Sequence, residues 1–332
     1  MNRLTLADLA AAWADVEAMV DRTPGADRWC SGPDWILSAH RAFGAESEPL
    51  LVQEGDALAC LARYQGPGGL VVIGGLEPLW GFACPLLGPA PATTAALVRR
   101  ALAADRDWDV AALGGLPTDR ALLRSVAAQL VPLGRVGVAE GIVRQVADLD
   151  PEGDAGLERF WSRRSARFRR NLRRACRSAA DAGLVIVDAS TEPDLLARLQ
   201  RIEAGSWKGM AGDGLASPTM AAFYRHQLER LRERQRVRAL IATRDGVDVG
   251  FIVGGRRGNG YRGLQLSYAE SVRDLSVGHL LQAREVERLT AEGVRSYDLG
   301  MDLPYKRSWA DRAVPSATLV VHRASVVGRS LR

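Results

Sequence analysis

The sequence predicts an α/β chain made of two similar domains, each a mixed, mostly antiparallel sheet flanked by helices. Three observations carry that expectation. At 332 residues the chain is long for a single core. The order helices, strand meander, helix, further strand runs through it twice. A short stretch also repeats in letters, with "DVAALGGLP" at 109–117 echoed by "SYDLGMDLP" at 296–304. A polar link containing Gly and Pro, residues 148–158, separates the halves and gives domains over 1–150 and 151–332.

In the first half, apolar spacing predicts helices over 6–20 and 33–43. The strands "PLLVQEG", "ALACLARYQG" and "GLVVIGG" follow, punctuated by Gly and Pro. A helix over 93–104, the strand "WDVAALGGLP", a helix over 119–130 and a strand near 141–148 complete that half. In the second half a basic helix leads into the strand "GLVIVDAS", then helices over 192–207 and 218–235. The meander "VRALIATRDG", "VDVGFIVGGRRGNG" and "YRGLQLSYAES" turns at Asp245-Gly246 and Asn259-Gly260, dipeptides that favour tight hairpins. A helix over 277–292 and the strands "VRSYDLG" and "ATLVVHRA" close the pattern.

Composition narrows the function classes. With 47% hydrophobic and 25% charged residues the chain has the balance of a soluble globular protein. Cys30, Cys60, Cys84 and Cys176 are scattered without a C-x-x-C pair, which argues against a disulfide framework or zinc site and fits a reducing cytoplasm. His40, His226, His279 and His322 are equally dispersed, so spacing shows no metal cluster. The first twenty residues carry Asp8, Asp15 and Glu17 and read as an amphipathic helix, not a secretory signal. The most apolar region, 70–92, is broken by Glu77, Pro78, Pro85 and Pro89 and is no membrane span. A net charge of +5 points to an anionic partner. Arginine supplies nearly all the cations; the two lysines, Lys208 and Lys306, each follow an aromatic residue, Trp207 and Tyr305. Lysine offers a titratable amine that arginine cannot replace.

Four segments carry a family resemblance: "WSRRSARFRRNLRRACRSAADAGLVI", Trp207-Lys208-Gly209, "LSYAESVRDLSVGHLLQAREVERLTAEG" and "YDLGMDLPYKRSW". Over roughly 160–309 the chain resembles the GCN5-related N-acyltransferases (GNAT) in tandem form. It is most similar to the CelD-type, cellulose-biosynthesis group and is related in architecture to the Fem-type aminoacyl transferases. The resemblance implies tandem GNAT domains with chemistry in the second copy, since the first has no counterpart of Asp302, Tyr305 or Lys306. It implies acetyl-CoA or another acyl-CoA as co-substrate, no metal, and a small-molecule amine, or less readily a hydroxyl, as acceptor.

The family's phosphate-binding pattern, Arg/Gln-x-x-Gly-x-Gly/Ala, falls on Arg273, Ser276, Val277, Gly278 and His279. Ser276 stands where the family has its first glycine, and Asp274 brings a negative charge. A helix N-terminus gathers orphan N–H groups and a positive dipole for an anion. Ser276 is also a good N-cap, so a plain capped helix is the competing reading. Tyr268 lies on the strand that the resemblance expects to splay for the pantetheine arm, and an ordinary core position is its alternative. The resemblance puts Tyr305 where a tyrosine protonates the departing thiolate, Asp298 where a carboxylate orients the amine, and Lys306 near an anion. Trp207, Lys208 and Asp302 complete the candidate substrate contacts. Turn formation around Gly300 and Pro304 is the competing account of Asp298 and Asp302.

Eight of the fifteen residues 163–177 are arginine, with Arg163 and Arg177 at the ends, and none is acidic. Trp161, Phe168, Leu172 and Cys176 fall near helical spacing, so one face docks and the other carries charge. That face is either simply solvated or a footprint for tRNA, anionic lipid or cofactor phosphates. A Fem-type transferase using aminoacyl-tRNA is therefore the second functional reading, and a non-catalytic binding protein with two degenerate copies is the third.

Overall fold

The computed structural model describes residues 1–118 and 120–324. The chain forms two units, Met1–Val143 with Pro315–Arg332, and Arg144–Val314. The sequence places a boundary at 150, where composition turns polar. In the structure 144–148 are strand residues of the second unit, and 316–322 pair with a strand of the first. Backbone pairing, not polarity, decides where each unit ends.

The first unit contains β1 (Asn2–Leu4), α1 (Leu6–Ala11), α2 (Trp13–Arg22), α3 (Pro33–Phe43), β2 (Glu48–Glu54), β3 (Ala57–Gln65), β4 (Val71–Gly75), β5 (Leu86–Leu87), α4 (Pro91–Ala104), β6 (Val110–Pro117) and α5 (Arg120–Leu130). Strand β7 (Gly134–Asp148) then leads to α6 (Gly153–Ser162), α7 (Ala166–Asp181), β8 (Leu184–Asp188), α8 (Leu195–Ala204), α9 (Trp207–Met210) and α10 (Pro218–Glu233). After these come β9 (Val237–Arg244), β10 (Val247–Arg257), β11 (Gly260–Tyr268), α11 (Val277–Ala291), β12 (Ser296–Met301) and β13 (Arg312–Arg323).

Each unit shows the same pairing scheme. In the first, β1 to β4 pair antiparallel in sequence, β4 runs parallel to β6, and β6 pairs antiparallel with β13. In the second, β8 to β11 pair antiparallel, β11 runs parallel to β12, and β12 pairs antiparallel with residues 144–148. The echoed letters occupy the equivalent strands β6 and β12. Each of these strands also carries a glycine with positive φ, Gly115 at 67° and Gly300 at 82°. The duplication is thus visible in topology as well as in sequence.

Local chemistry explains most element ends and two departures. The helix expected over 6–20 breaks at Ala12 into α1 and α2. Thr5 and Asp8 close a capping box on α1, and Ala12 leaves helical geometry with ψ 27°. The β9–β10 turn has Asp245 and Gly246 both at positive φ, as a type I′ hairpin requires. The β10–β11 turn is centred one residue earlier than the letters suggest. Arg257 already pairs with Gly260, and Gly258 supplies the positive φ at the first turn position.

The core of the first unit joins Leu97, Val98, Ala101 and Leu102 of α4 to the inward faces of β2, β3 and β6. In the second unit α11 buries Val277, Leu281, Val286 and Leu289 against the sheet, at about 2 kcal/mol for each fully buried side chain. Helix α7 docks through Leu172, with Phe168 and Cys176 partly buried against the same cluster as Tyr261, Tyr297 and Trp309. The arginine run therefore divides. Arg164 is buried, forms two parallel hydrogen bonds to Asp311 at 2.8 and 2.9 Å, and stacks 4.2 Å over Phe160. Arg163 also binds Asp311 and donates to the Asp148 carbonyl. These two are structural and drop out of any anion footprint.

Burial alone would raise the Asp311 carboxyl, but hydrogen bonds from Arg164 and Arg163 hold it well below the usual carboxylate range. A depressed folded pKa contributes stability that is full above the ordinary Asp range and is lost progressively as pH falls from that range to the depressed value. Arg164→Ala is expected to destabilise the protein by about 3–5 kcal/mol, the scale for breaking a buried pair. It should also flatten the acid limb of stability against pH, as read by thermal melts between neutral and strongly acidic pH. An unchanged acid limb would remove the pair from the stability account.

Candidate active site

The site grows from a divergence of two parallel strands. β11 and β12 pair only over Gly260–Ser296, Tyr261–Tyr297 and Arg262–Asp298. Beyond that point each strand continues alone on this side, and its carbonyls must find other donors. On β11, Tyr224 Oη of α10 donates to the Leu264 carbonyl and Lys208 Nζ of α9 to the Leu266 carbonyl, both at 3.1 Å. On the β12 side Lys306 Nζ donates to the Met301 carbonyl at 3.1 Å. The two lysines of the chain therefore serve the two arms of one splay.

Asp298 sits where the strands part. It is buried, with Oδ1 3.0 Å from Arg262 Nη1 and accepting from Gly300 N at 2.8 Å, while Oδ2 takes Arg144 Nη1. Burial would raise this carboxyl, yet Arg262 and Arg144 hold it below the usual range. With both oxygens engaged, it is a fixed anion. The expected role of orienting or relaying a proton from an amine does not fit that geometry. Asp302 is likewise taken, by Arg307 through both oxygens and by Gln145 Nε2 at 3.0 Å. Of the two readings of Asp302, the structure supports loop formation over substrate contact.

Helix α11 opens onto two cavities of about 420 Å³ each. Its N-cap, Ser276, has φ 54° and ψ 35°, a left-handed conformation, and its side chain makes no capping hydrogen bond. The capped-helix expectation thus fails for a geometric reason: the residue occupies the conformation that glycine adopts without strain. The N–H groups of His279 and Leu280 already donate to the Ser276 carbonyl, and those of Val277 and Gly278 ahead of them have no acceptor within the helix. One cavity lies among Trp207, Lys208, Tyr268, Arg273, Gly278 and Gln282. The other is bounded by α7 through Asn171, Arg174 and Ser178, with Asp274 on its rim. Ser276, His279 and Tyr305 line both.

The structure brings together most of the residues singled out in the sequence. Tyr305 is 44% exposed and borders both cavities; burial of its hydroxyl, with Tyr268 nearby, raises its pKa and keeps it protonated at neutral pH. His279 packs between Trp309, stacked at 5.9 Å, and Phe168, and burial lowers its pKa, favouring a neutral ring. Burial also lowers Lys208 and pushes Lys306 down to about 8, helped by Arg262 and Lys208 and opposed by Asp298 and Asp302. Arg273 lines a cavity wall while pairing with Glu270 at 2.8 Å. Gly209 has to be glycine, because a Cβ would lie 2.1 Å from the Glu203 carbonyl. Sequence reading missed Arg262, Arg144, Tyr224, Gln282 and the buried Glu203, which accepts from Leu215 N and Gln265. These positions carry no local signal, since their partners lie far along the chain.

The first unit has a similar splay. β4 and β6 pair only at Val72–Val110 and Ile73–Ala111, and a cavity of about 400 Å³ lies beyond, walled by glycines and free of lysine and arginine. There, the backbone N–H groups of Leu79, Trp80, Gly81, Phe82 and Ala83 all point to the buried Glu77 carboxylate.

Two outcomes follow from the geometry of the second unit. Ser276→Gly is expected to raise stability by up to about 1 kcal/mol by relieving the left-handed residue, partly offset by the freer unfolded chain. A lower melting temperature would show that the hydroxyl is needed. With Lys306 titrating near 8, its neutral and reactive amine accumulates through that pH. Its acetylation by acetic anhydride, followed by mass spectrometry, should level off with a midpoint near pH 8, well before an ordinary lysine at about 10.4. A midpoint at the ordinary value would place Lys306 in open water.

Residues 166–307 match the family model of the acetyltransferase (GNAT) domain. No curated protein matches the chain. Among solved structures the chain is similar to a conserved protein of unknown function from Bacteroides thetaiotaomicron VPI-5482, with 11% identity, 97% of this chain and 99% of that one covered, and a TM-score of 0.64. It is similar to FemX, with 11% identity, 96% and 97% coverage and a TM-score of 0.62. It is also similar to a tandem GNAT protein from the clavulanic acid biosynthesis pathway, with 17% identity, 96% and 97% coverage and a TM-score of 0.51. Identities this low speak for fold alone. Together with the duplicated pairing scheme, they show that the chain has the tandem GNAT fold, with an acetyltransferase (GNAT) domain over residues 166–307.

Proposed function

We propose that the second unit transfers an acyl group from a coenzyme A thioester to an amine, with the first unit non-catalytic. One observation carries this reading: Tyr305, a protonated phenol, stands where two cavities meet at the open N-terminus of α11. The donor's phosphates would meet the free N–H groups of that helix, and Arg174 adds positive charge beside them. The amine nitrogen attacks the thioester carbonyl carbon, a C–N bond forms, and the C–S bond breaks. Tyr305 gives its proton to the leaving thiolate, and the nitrogen loses a proton to solvent. A thiol near 8.5 and a phenol whose ordinary value near 10 is raised here by burial can share that proton in the transition state. Lys306 Nζ, 5.9 Å from the ring centre of Tyr305, puts a cation near the developing phenolate. The segments 207–209 and 297–309 support placement in the CelD-type group.

The Fem-type reading, with aminoacyl-tRNA as donor, draws support from α7. Arg167, Arg170, Arg173, Arg174 and Arg177 are exposed and form no ion pair among the described residues. Among the described residues no helix is long and apolar enough to cross a membrane. Calorimetry separates the readings: acetyl-CoA or a longer acyl-CoA should bind, whereas tight, salt-sensitive binding of charged tRNA with no acyl-CoA binding would favour the Fem-type reading.

Tyr305→Phe is expected to leave the melting temperature and donor affinity nearly intact and to lower turnover by about 10²–10⁴, the range for a positioned proton donor. Unchanged turnover would remove Tyr305 from the chemistry even if acyl-CoA binds.

A further inference from the structure

We infer that the cavity walled by Trp207, Leu303 and Tyr305 receives an apolar group carried by the amine acceptor, so that the enzyme selects amines with a hydrocarbon or aromatic tail. The inference rests on the acyl-transfer reading and narrows its acceptor class.

Exposure and polar pairing carry the argument together. Seven of the eight tryptophans are buried or half-buried, whereas Trp207 is 60% exposed and lines this cavity. Leu303, at 42%, and Tyr305, at 44%, are exposed in the same lining. Large apolar side chains left in water forgo the main driving force of folding, and a group of them marks a surface that something else covers. The turn that presents Trp207 is anchored through its neighbours. Ser206 is fully buried, donates to the Glu203 carbonyl at 2.7 Å and accepts from Gly209 N at 3.3 Å. A Cβ on Gly209 would lie 2.1 Å from that same carbonyl. Trp207 is thereby held at the cavity without burying its own ring.

The polar groups of the lining, by contrast, find partners within the chain. Lys208 donates to the Leu266 carbonyl, and the nearby Glu203 carboxylate favours its charged form. Arg273 pairs with Glu270, Gln282 is hydrogen-bonded to Tyr297, and His279 stacks on Trp309. What stays open in this cavity is apolar surface, which rewards contact with hydrocarbon or an aromatic ring.

Position picks the reactant. The donor's phosphates are assigned to the start of α11 beside Arg174, in the cavity bounded by α7. The two cavities share Ser276, His279 and Tyr305. A donor laid from the α7 side brings its thioester to Tyr305, so the amine arrives through the other cavity, past Trp207 and Leu303. The group that the amine carries is what those side chains meet.

Acrylamide quenching of Trp207 fluorescence reads the contact without requiring turnover; the Trp207 component is the difference between the unaltered protein and Trp207→Phe. Hexylamine and ethylamine share a head group, so any difference between them belongs to the chain. Hexylamine at its Kd should halve the quenching of that component, and ethylamine at the same concentration should leave it unchanged. Equal quenching with both amines up to the solubility of hexylamine would overturn the inference.

Turnover with acetyl-CoA then tests the reactant. Each methylene covered by the wall raises kcat/KM by up to about fourfold, from about 0.8 kcal/mol for a buried CH₂. Hexylamine should therefore exceed ethylamine by at least about tenfold. Trp207→Ala and Leu303→Ala should each cut that ratio several-fold, and a ratio unchanged in both variants would overturn the inference. So would equal rates for the two amines, or a preference confined to octanoyl-CoA over acetyl-CoA with ethylamine as acceptor. No turnover with any combination counts against the acyl-transfer reading alone, and the quenching result still decides the apolar site.

Discussion

The second unit depends on one buried carboxylate held between two guanidinium groups. Asp298 faces Arg262 in the parallel ladder and lies beside residues 144–148 in the antiparallel one, so Arg262 and Arg144 reach it from the strands on either side. Three adjacent strands are tied by one side chain. At a separation near 4 Å and an effective dielectric near 20, each attraction is about 4 kcal/mol before desolvation is subtracted. The net stabilisation is smaller than that. The cost of removing the carboxylate is not small, because two cations would be left with their counterion gone. Just past this point the β12–β7 register shifts, Gly300 turns through a left-handed conformation, and parallel pairing with β11 ends. The clamp marks the apex of the splay, and every group of the site is placed from it.

Once the strands part, their carbonyls need donors, and the choice of donor has functional consequences. Tyr224 spends its hydroxyl hydrogen on the Leu264 carbonyl and keeps nothing back. A lysine that caps a carbonyl retains two N–H donors and a charge, on a compact head that arginine's planar fork does not reproduce. In a chain whose cations are otherwise arginine, lysine appears at the two places where a carbonyl must be capped and positive charge kept for something else. At both positions the capping atom keeps a charge that a neutral hydroxyl would not bring.

How much of this was legible in the sequence differs by kind of feature. Periodicity and turn chemistry are local, so helix Pro33–Phe43 and the Asp245-Gly246 hairpin can be read directly from the letters. The meander, helix and strand order told of the duplicated fold, and the scarcity of lysine singled out Lys208 and Lys306. What stayed hidden is what depends on pairs distant in sequence. Asp298 reads as a reactive carboxylate until Arg144, 154 positions away, is seen to hold it. Asp302 reads as a substrate contact until Arg307 closes on it. Ser276 reads as a cap because its identity suits capping, while its backbone angle is set by the loop that enters α11. The eight arginines look alike as letters, yet Asp311 draws two of them into the structure and leaves others exposed.

The two copies differ in who satisfies the open donors. In the first unit the loop after β4 turns five backbone N–H groups toward Glu77, a carboxylate of the same loop, and Tyr64 donates to the Gly75 carbonyl at 2.6 Å. Burial raises the Glu77 pKa, while the converging N–H groups pull it back, so the loop's anion site is occupied by its own chain. In the second unit the corresponding resources stay unspent. The N-terminus of α11 has no side-chain cap, and the two lysines keep spare donors. A satisfied copy gains stability and loses the means to bind an anion. The second copy instead carries a left-handed Ser276 and holds Lys306 and Arg262 together near Gly300. That asymmetry, beside Tyr305 at the start of α11, is why the chemistry is proposed for the second unit.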